Sequence, residues 1–297
     1  MPELPEVESV RAGLARYLIG RTIEAVEVLD PRPLRRQVGG PEAFVHALIG
    51  RTVRAAVRRG KLLWLPLDDD RALSAHLGMS GQFRVDAPDA PLARNTRVLV
   101  DLDDGTQLRF VDQRMFGGLH VTDLVPTPDG APGGAGSPDA LLPADAAHIA
   151  RDLLDPALDR RGAVARVRSS GRAVKTILLD QRVVSGIGNI YADEGLWAAR
   201  LHGLRPGSWL GPRVAARLLE QTAAVMERAL AAGGTSFDAL YVDADGAAGF
   251  FARELAAYGR AGLPCRRCGA PMRVETIGGR SHTSCPRCQS RPRRPRR

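Results

Sequence analysis

Cysteine is absent from this chain until Cys265, and all 4 cysteines lie from there on, in two Cys-x-x-Cys pairs. A disulfide framework across the body of the protein is thereby excluded. Aromatic residues are scarce at 5%, against 44% hydrophobic overall, so any core must be largely aliphatic. No apolar run reaches the roughly 20 residues that span a bilayer. Three acids within the first eight residues argue against a secretory signal. A soluble cytoplasmic protein without a membrane partner is the expectation. Acidic residues are also in deficit, with Asp+Glu 33 against Lys+Arg 42 and a net charge of +9. That balance favours an anionic partner.

What is present begins at the N-terminus. Met1-Pro2-Glu3-Leu4-Pro5-Glu6 places a proline directly after the initiator methionine, and a residue of that size permits removal of Met1. Pro2 then becomes a terminal secondary amine, able to attack an aldehyde-level carbon and form an iminium as a Schiff-base lysine does. Glu3 adjoins it, and Glu6 lies one helical turn on. The same residues also make an ordinary helix start, with proline and acids in the first turn. Val7, Val10, Leu14 and Leu18 continue at helical spacing until Gly20.

Short strand-like runs follow, at Ile23–Val28, Thr52–Val57, Leu62–Leu67, Ala72–Leu77, Gln82–Val85, Arg97–Leu102 and Gln107–Val111, with a small helix over Phe44–Ile49. Their regular spacing predicts an antiparallel sandwich or flattened barrel. Three turns carry chemistry: Lys61 in a basic hairpin turn, the glycine-rich loop His76-Leu77-Gly78-Met79-Ser80-Gly81, and Asp112-Gln113-Arg114-Met115-Phe116-Gly117-Gly118. An arginine and an aromatic beside flexible glycines suit insertion into a base stack, although each turn taken alone reads better as plain structure.

Residues 126–143, dense in Pro, Gly, Ala and Ser, read as an exposed linker and domain boundary. Beyond it the periodicity turns helical. Val174, Ile177 and Leu178 share a face with Ala173, Ser185-Gly186-Ile187-Gly188-Asn189 leads into a helix over Ile190–Ala199, and Pro212 opens a longer one ending at Gly233-Gly234. The amides at the Asn189 helix start suit a phosphate. With no strand before it, this Gly-x-Gly does not make a nucleotide-cofactor motif. Sixteen residues separate Cys265-x-x-Cys268 from Cys285-x-x-Cys288. That spacing fits four thiolates around one structural zinc in a β-hairpin ribbon, with disulfides or iron as the alternatives. Arginines surround it, and a basic tail closes the chain.

Taken together, PELPEVE at Pro2–Glu8, RRGK ending at Lys61, HLGMSG at His76–Gly81, DQRMFGG at Asp112–Gly118, GIGNIYADE at Gly186–Glu194, YGRAGLPC at Tyr258–Cys265 and the cysteine quartet resemble the bacterial formamidopyrimidine-DNA glycosylase family. This resemblance implies an α+β multidomain fold: an N-terminal β-sandwich with flanking helices (1–125), a linker (126–147), a helix-two-turn-helix domain (148–258), a zinc finger (259–290) and a basic tail (291–297). It implies a monomer acting on damaged double-stranded DNA held between the lobes. The enzyme would excise oxidised purines and cleave the abasic site, in the cytoplasm at the nucleoid. By the same resemblance Pro2 is the nucleophile, Glu3 the acid/base, and Lys61 assists proton transfer. Glu6 shapes the pocket, and Met79, Arg114 and Phe116 fill the void left by an extruded nucleotide. His76, Asn95, Arg172, Lys175, Asn189 and Arg280 contact the DNA, with Arg280 also tied to δ-elimination.

Departures from the family pattern are Met115 where a basic residue is common, Asn95 for a histidine, Phe250 for a tyrosine in the lesion-capping loop, and His282-Thr283-Ser284 before Cys285 where an aromatic is usual. The rival readings are an endonuclease VIII-like enzyme for oxidised pyrimidines, and a protein that binds damaged DNA without cutting it.

Overall fold

The computed structural model describes residues 2–233 and 251–292. Met1, Phe250 of the expected capping loop, Gly234 and the tail from Arg293 lie outside them. The chain divides into two compact units, 1–148 with 232–250 and 149–231 with 251–297.

In the first unit, α1 (Leu4–Leu18) buries Val7, Val10, Leu14 and Leu18, the apolar stripe of a 3.6-residue period. Nine strands form two antiparallel sheets. One has the order β1 (Ile23–Val28), β6 (Thr96–Leu102), β7 (Gln107–Asp112), β5 (Gly81–Asp86). The other runs β2 (Val57–Arg59), β3 (Leu62–Pro66), β4 (Arg71–His76), β8 (Gly118–Pro126), β9 (Leu141–Pro143). Both sheets, α1 and α2 (Gly40–Leu48) share one core, from Leu14 and Phe44 through Leu63 and Leu73 to Val98 and Phe110. The expected strand at 52–57 is confined to isolated bridges at Thr52 and Val53, and pairing resumes only at Val57. The hairpin turn is consequently just Gly60-Lys61, which needs the left-handed φ of +59° at Gly60.

The stretch 126–143 is exposed over much of its length, as expected, but it is not a free linker. It doubles back on the β2–β3 hairpin, where Arg58 and Ala135 exchange backbone hydrogen bonds of 2.9 Å. A Cβ on Gly134 would stand 2.2 Å from the Arg58 carbonyl and 3.0 Å from the Trp64 ring. Its glycines are there for close approach to a tryptophan and a strand, a use that composition does not separate from flexibility.

The second unit holds α3 (Arg160–Arg168), α4 (Val174–Leu178), α5 (Asn189–Ala198), α6 (Pro212–Ala231) and the hairpin of β10 (Arg273–Ile277) and β11 (Arg280–Ser284). Helix α5 is buried almost all round, and Gly195 meets α6 so closely that a Cβ would lie 2.1 Å from Thr222 Oγ1.

Candidate active site and nucleic-acid interface

The chain start is a built feature. Pro2 is buried, and Glu3 and Glu6 are only 2% and 8% exposed. Glu3 occupies the N-cap of α1 and closes a capping box with Glu6, whose Oε2 accepts the Glu3 N–H at 2.9 Å. Shorter Ser, Thr, Asp or Asn side chains serve an N-cap best, and first-turn acids of an ordinary helix face water. Two buried glutamates there are what a plain helix start does not call on. From the next turn, Glu8 Oε2 accepts Arg58 Nε at 2.8 Å, tying α1 to the hairpin that ends in Lys61. Burial pushes the Glu8 carboxyl up, but the Arg11 hydrogen bond and the Arg58 charge outweigh it and hold it below the usual range.

Lys61 is half-buried at the hairpin turn, and the next residue, Leu62, stands opposite His76 in the sheet register. Desolvation, then the cations of Lys61, Arg36 and Arg35, depress the His76 pKa, and its Nδ1 accepts the Gly78 N–H at 3.0 Å. Three cations around an imidazole whose charged form they disfavour make an electropositive patch suited to phosphate.

The two remaining loops are fastened to each other by Asp112, which is fully buried. Its Oδ1 accepts the Ser80 hydroxyl at 2.5 Å and its Oδ2 the Gly117 N–H at 2.7 Å, while the Arg114 N–H donates to Ser80 Oγ at 2.8 Å. Gly78, at φ +61°, packs so tightly that a Cβ would stand 2.4 Å from the Phe116 carbonyl carbon. Met79 is thus presented between two residues pinned to the other loop. Phe116 is 52% exposed with the Arg114 guanidinium 5.5 Å from its ring centroid, an apolar wedge and a cation side by side. Met115 holds a left-handed φ of +60° between them. Asn95 lies below this loop: its backbone carbonyl accepts the Asp112 N–H at 2.9 Å, and its Oδ1 accepts Arg97 Nη2 at 3.2 Å. Sequence reasoning missed Arg35, which donates to the carbonyls of Gly117 and, at 3.0 Å, Phe116. Its signal was a cation just past the Pro31 and Pro33 break.

In the second unit Asn189 starts α5, where no side chain caps the helix at Gly188. Asn189 Nδ2 donates to Ser281 Oγ at 3.0 Å, setting it beside the exposed Arg280 at the head of β11. Arg172 is exposed and paired to Asp180 at 2.9 Å. Lys175 corrects the sequence reading. Rather than reaching phosphate, its side chain is 0% exposed, with Nζ 2.6 Å from Asp193 Oδ1, because the short α4 turns this position inward against α5 and β11. Sequence reasoning also missed Asp193 and Glu194. The latter accepts backbone N–H groups of Ala256, Ala257 and Tyr258 at 2.8–3.1 Å, anchoring the chain ahead of the finger. Burial still raises its pKa. The available signal was α5 itself: a helix without a polar face is buried, so acids on it need internal partners.

The sulfurs of Cys265, Cys268, Cys285 and Cys288 lie within 4.8 Å of one another. A tetrahedron of Zn–S bonds near 2.3 Å has edges of about 3.8 Å, so the quartet fits a zinc ion and its closed thiolate set makes the metal structural. Trp197 Nε1 donates to Cys265 Sγ at 3.4 Å, and Arg267 lies over that indole at 4.1 Å.

The formamidopyrimidine-DNA glycosylase N-terminal domain matches residues 1–119, the H2TH domain of the same enzymes 149–240, and the zinc finger found in FPG and IleRS 262–291. These domains define the class, a zinc-finger DNA glycosylase of base-excision repair. A formamidopyrimidine-DNA glycosylase from Nocardioides sp. is 54% identical over 100% of this chain and 97% of its own, and one from Kineococcus radiotolerans 53% over 99% of each. Among solved structures, Lactococcus lactis Fpg with abasic-site DNA and with Fapy-dG DNA each superpose at TM-score 0.82 and 29% identity, covering 97% of this chain and 100% of theirs. The chain belongs to the formamidopyrimidine-DNA glycosylase family, bifunctional glycosylase/AP lyases that act on DNA and carry one structural zinc.

Proposed function

We propose that this enzyme removes oxidised purines, 8-oxoguanine and formamidopyrimidines, from duplex DNA through an iminium on Pro2. The observation that carries the reading is the buried chain start, with Pro2 beside a carboxylate that is 2% exposed. The nitrogen lone pair of Pro2 attacks C1′, the base leaves with the glycosidic electron pair, and the proton shed by the Pro2 nitrogen neutralises it. Glu3 delivers a proton to O4′ as the C1′–O4′ bond opens, leaving C1′=N⁺. The iminium acidifies C2′–H. Loss of that proton breaks the C3′–O bond, and a second loss, from C4′, breaks C5′–O, so both phosphates depart with their bonding electrons. Water then adds to C1′ of the iminium, and cleavage of the C1′–N bond releases the sugar fragment as an aldehyde and frees Pro2. The iminium is the electron sink throughout, so no nucleotide cofactor is required.

Attack at C1′ needs an extrahelical nucleotide. Met79, Arg114 and Phe116, held on two cross-tied loops, supply the groups to occupy the gap, and Arg114 would face the orphaned cytosine. Lys61 would assist proton transfer. Asn189, Arg172 and Arg280 would hold phosphates, and Arg280 would stabilise the second departing one.

Borohydride trapping on a duplex with 8-oxoguanine opposite cytosine, read by intact mass, tests this. A reduced adduct mapped to Pro2 is the expected result. An adduct on abasic DNA alone would move the lesion preference toward another base, oxidised pyrimidines first. No adduct on either, with Met1 absent and DNA binding intact, would leave a damage-binding protein and refute the enzyme mechanism.

A further inference from the structure

We propose that Lys175, Asp193 and His282 form a buried clamp that positions Arg280 for the second elimination, and that Lys175 acts on DNA only through it. This rests on the role given to Arg280 above. The clamp grips three consecutive residues of β11. Lys175 Nζ donates to the Ser281 carbonyl as well as to Asp193 Oδ1. His282 Nδ1 lies 2.7 Å from the same Oδ1, and the Thr283 N–H donates to Oδ2 at 2.9 Å. The Gly203 N–H donates to His282 Nε2 at 3.2 Å, which leaves the ring proton on Nδ1, pointing at Asp193. Lys175 and His282 are both 0% exposed.

Arg280 is the next residue along, exposed, and follows Gly278 and Gly279 at φ +56° and +75°. A two-stranded hairpin with such a tip has little rigidity of its own. The clamp supplies it from outside, and Gly278 sits on Thr176, the neighbour of Lys175, with room for a Cβ only 3.0 Å from Oγ1. Asn189, bonded to Ser281, is fixed by the same strand. The three side chains therefore set where Arg280 meets a departing phosphate.

The decisive reading is the ratio of δ- to β-elimination product on an abasic duplex. It is taken within one population of opened sugars, so a loss of folded protein does not move it. Lys175→Met should lower the ratio about tenfold or more, since misplacement by about 1 Å can cost 10²-fold. The slope of log affinity against log salt should meanwhile hold within about 0.3. Loss of a direct phosphate contact would reduce that slope by about 0.9. A slope reduced by that amount, or an unchanged product ratio, overturns the clamp. Should Lys175→Met fail to retain one zinc by mass, His282→Asn, which keeps a donor toward Asp193 but loses the Gly203 bond, is read by the same two criteria. Arg280→Gln sets the baseline. If that variant keeps the parental ratio, the reading of Arg280 itself is refuted, whereas a normal ratio in Lys175→Met beside a low one in Arg280→Gln refutes the clamp alone.

Discussion

Asp112 offers the sharpest test of how the intercalating loops work. Its carboxylate accepts the Ser80 hydroxyl at 2.5 Å and the Gly117 N–H at 2.7 Å, one on each loop, with the Arg114 N–H at 3.2 Å. Hydrogen bonds to a charged group contribute about 1.5–3 kcal/mol each. Asp112→Asn keeps the shape but loses the charge and turns an N–H₂ toward one of these donors, so at least one such bond is lost, at a cost of about 2 kcal/mol. At about 1.4 kcal/mol per factor of ten, the ordered loop pair becomes roughly 30-fold less populated. Single-turnover excision of 8-oxoguanine should fall by that factor. Iminium trapping on a ready-made abasic duplex, where no damaged base has to be recognised, should change by less than about threefold. Asp112→Ala strands both loops' donors and should cost about 3–4 kcal/mol, with excision slower still. An Asn variant that melts several degrees lower yet excises within about threefold of the parent would refute the reasoning, for the carboxylate would then serve the end of the sheet and not the loops.

Glu3→Gln keeps a cap-sized side chain but cannot give up a proton to O4′, so excision should drop by about 10²–10⁴-fold while the chain still binds lesion DNA in a gel-shift assay. His76 has a folded-state pKa below the usual 6.5. The unfolded chain therefore takes up the proton first as pH falls, and stability present above about pH 6.5 is lost below it. Melting temperatures from pH 7.5 to 5.5 should fall, and His76→Gln should make that fall shallower. Chelating the zinc, or Cys285→Ser, should release the β10–β11 hairpin and with it Arg280. DNA affinity should weaken by more than about tenfold in filter binding, with zinc loss confirmed by mass.

Much of this was legible in the residues because the signals were covalent or periodic. Short strand-like runs separated by turns marked most strands of the first unit, and the Cys spacing marked the metal site outright. Pro2 and Glu3 were legible as chemistry, but whether they faced solvent was not, because burial depends on what the fold lays over the chain start. Lys175 failed for the same reason. A lysine near a helix start reads as a surface cation, and only the approach of Asp193 and β11 turns it inward. Asp112 is the opposite case: it stands in the DQRMFGG motif, yet its work is to join two loops more than 30 residues apart in sequence, which no local pattern records.

The glycine- and proline-rich tract after β8 has a practical consequence. Its composition is that of a spacer, the place where a protein engineer would insert a tag or shorten the chain. Here it is a brace: Ala135 pairs with Arg58, the Gly133 carbonyl accepts Arg59 Nε at 2.7 Å, and the two residues that follow Arg59 are Gly60 and Lys61. Trimming or fusing at 131–137 would loosen the hairpin under Lys61 while leaving every residue of the motifs named above intact, so such a variant would pass a sequence inspection and still lose activity.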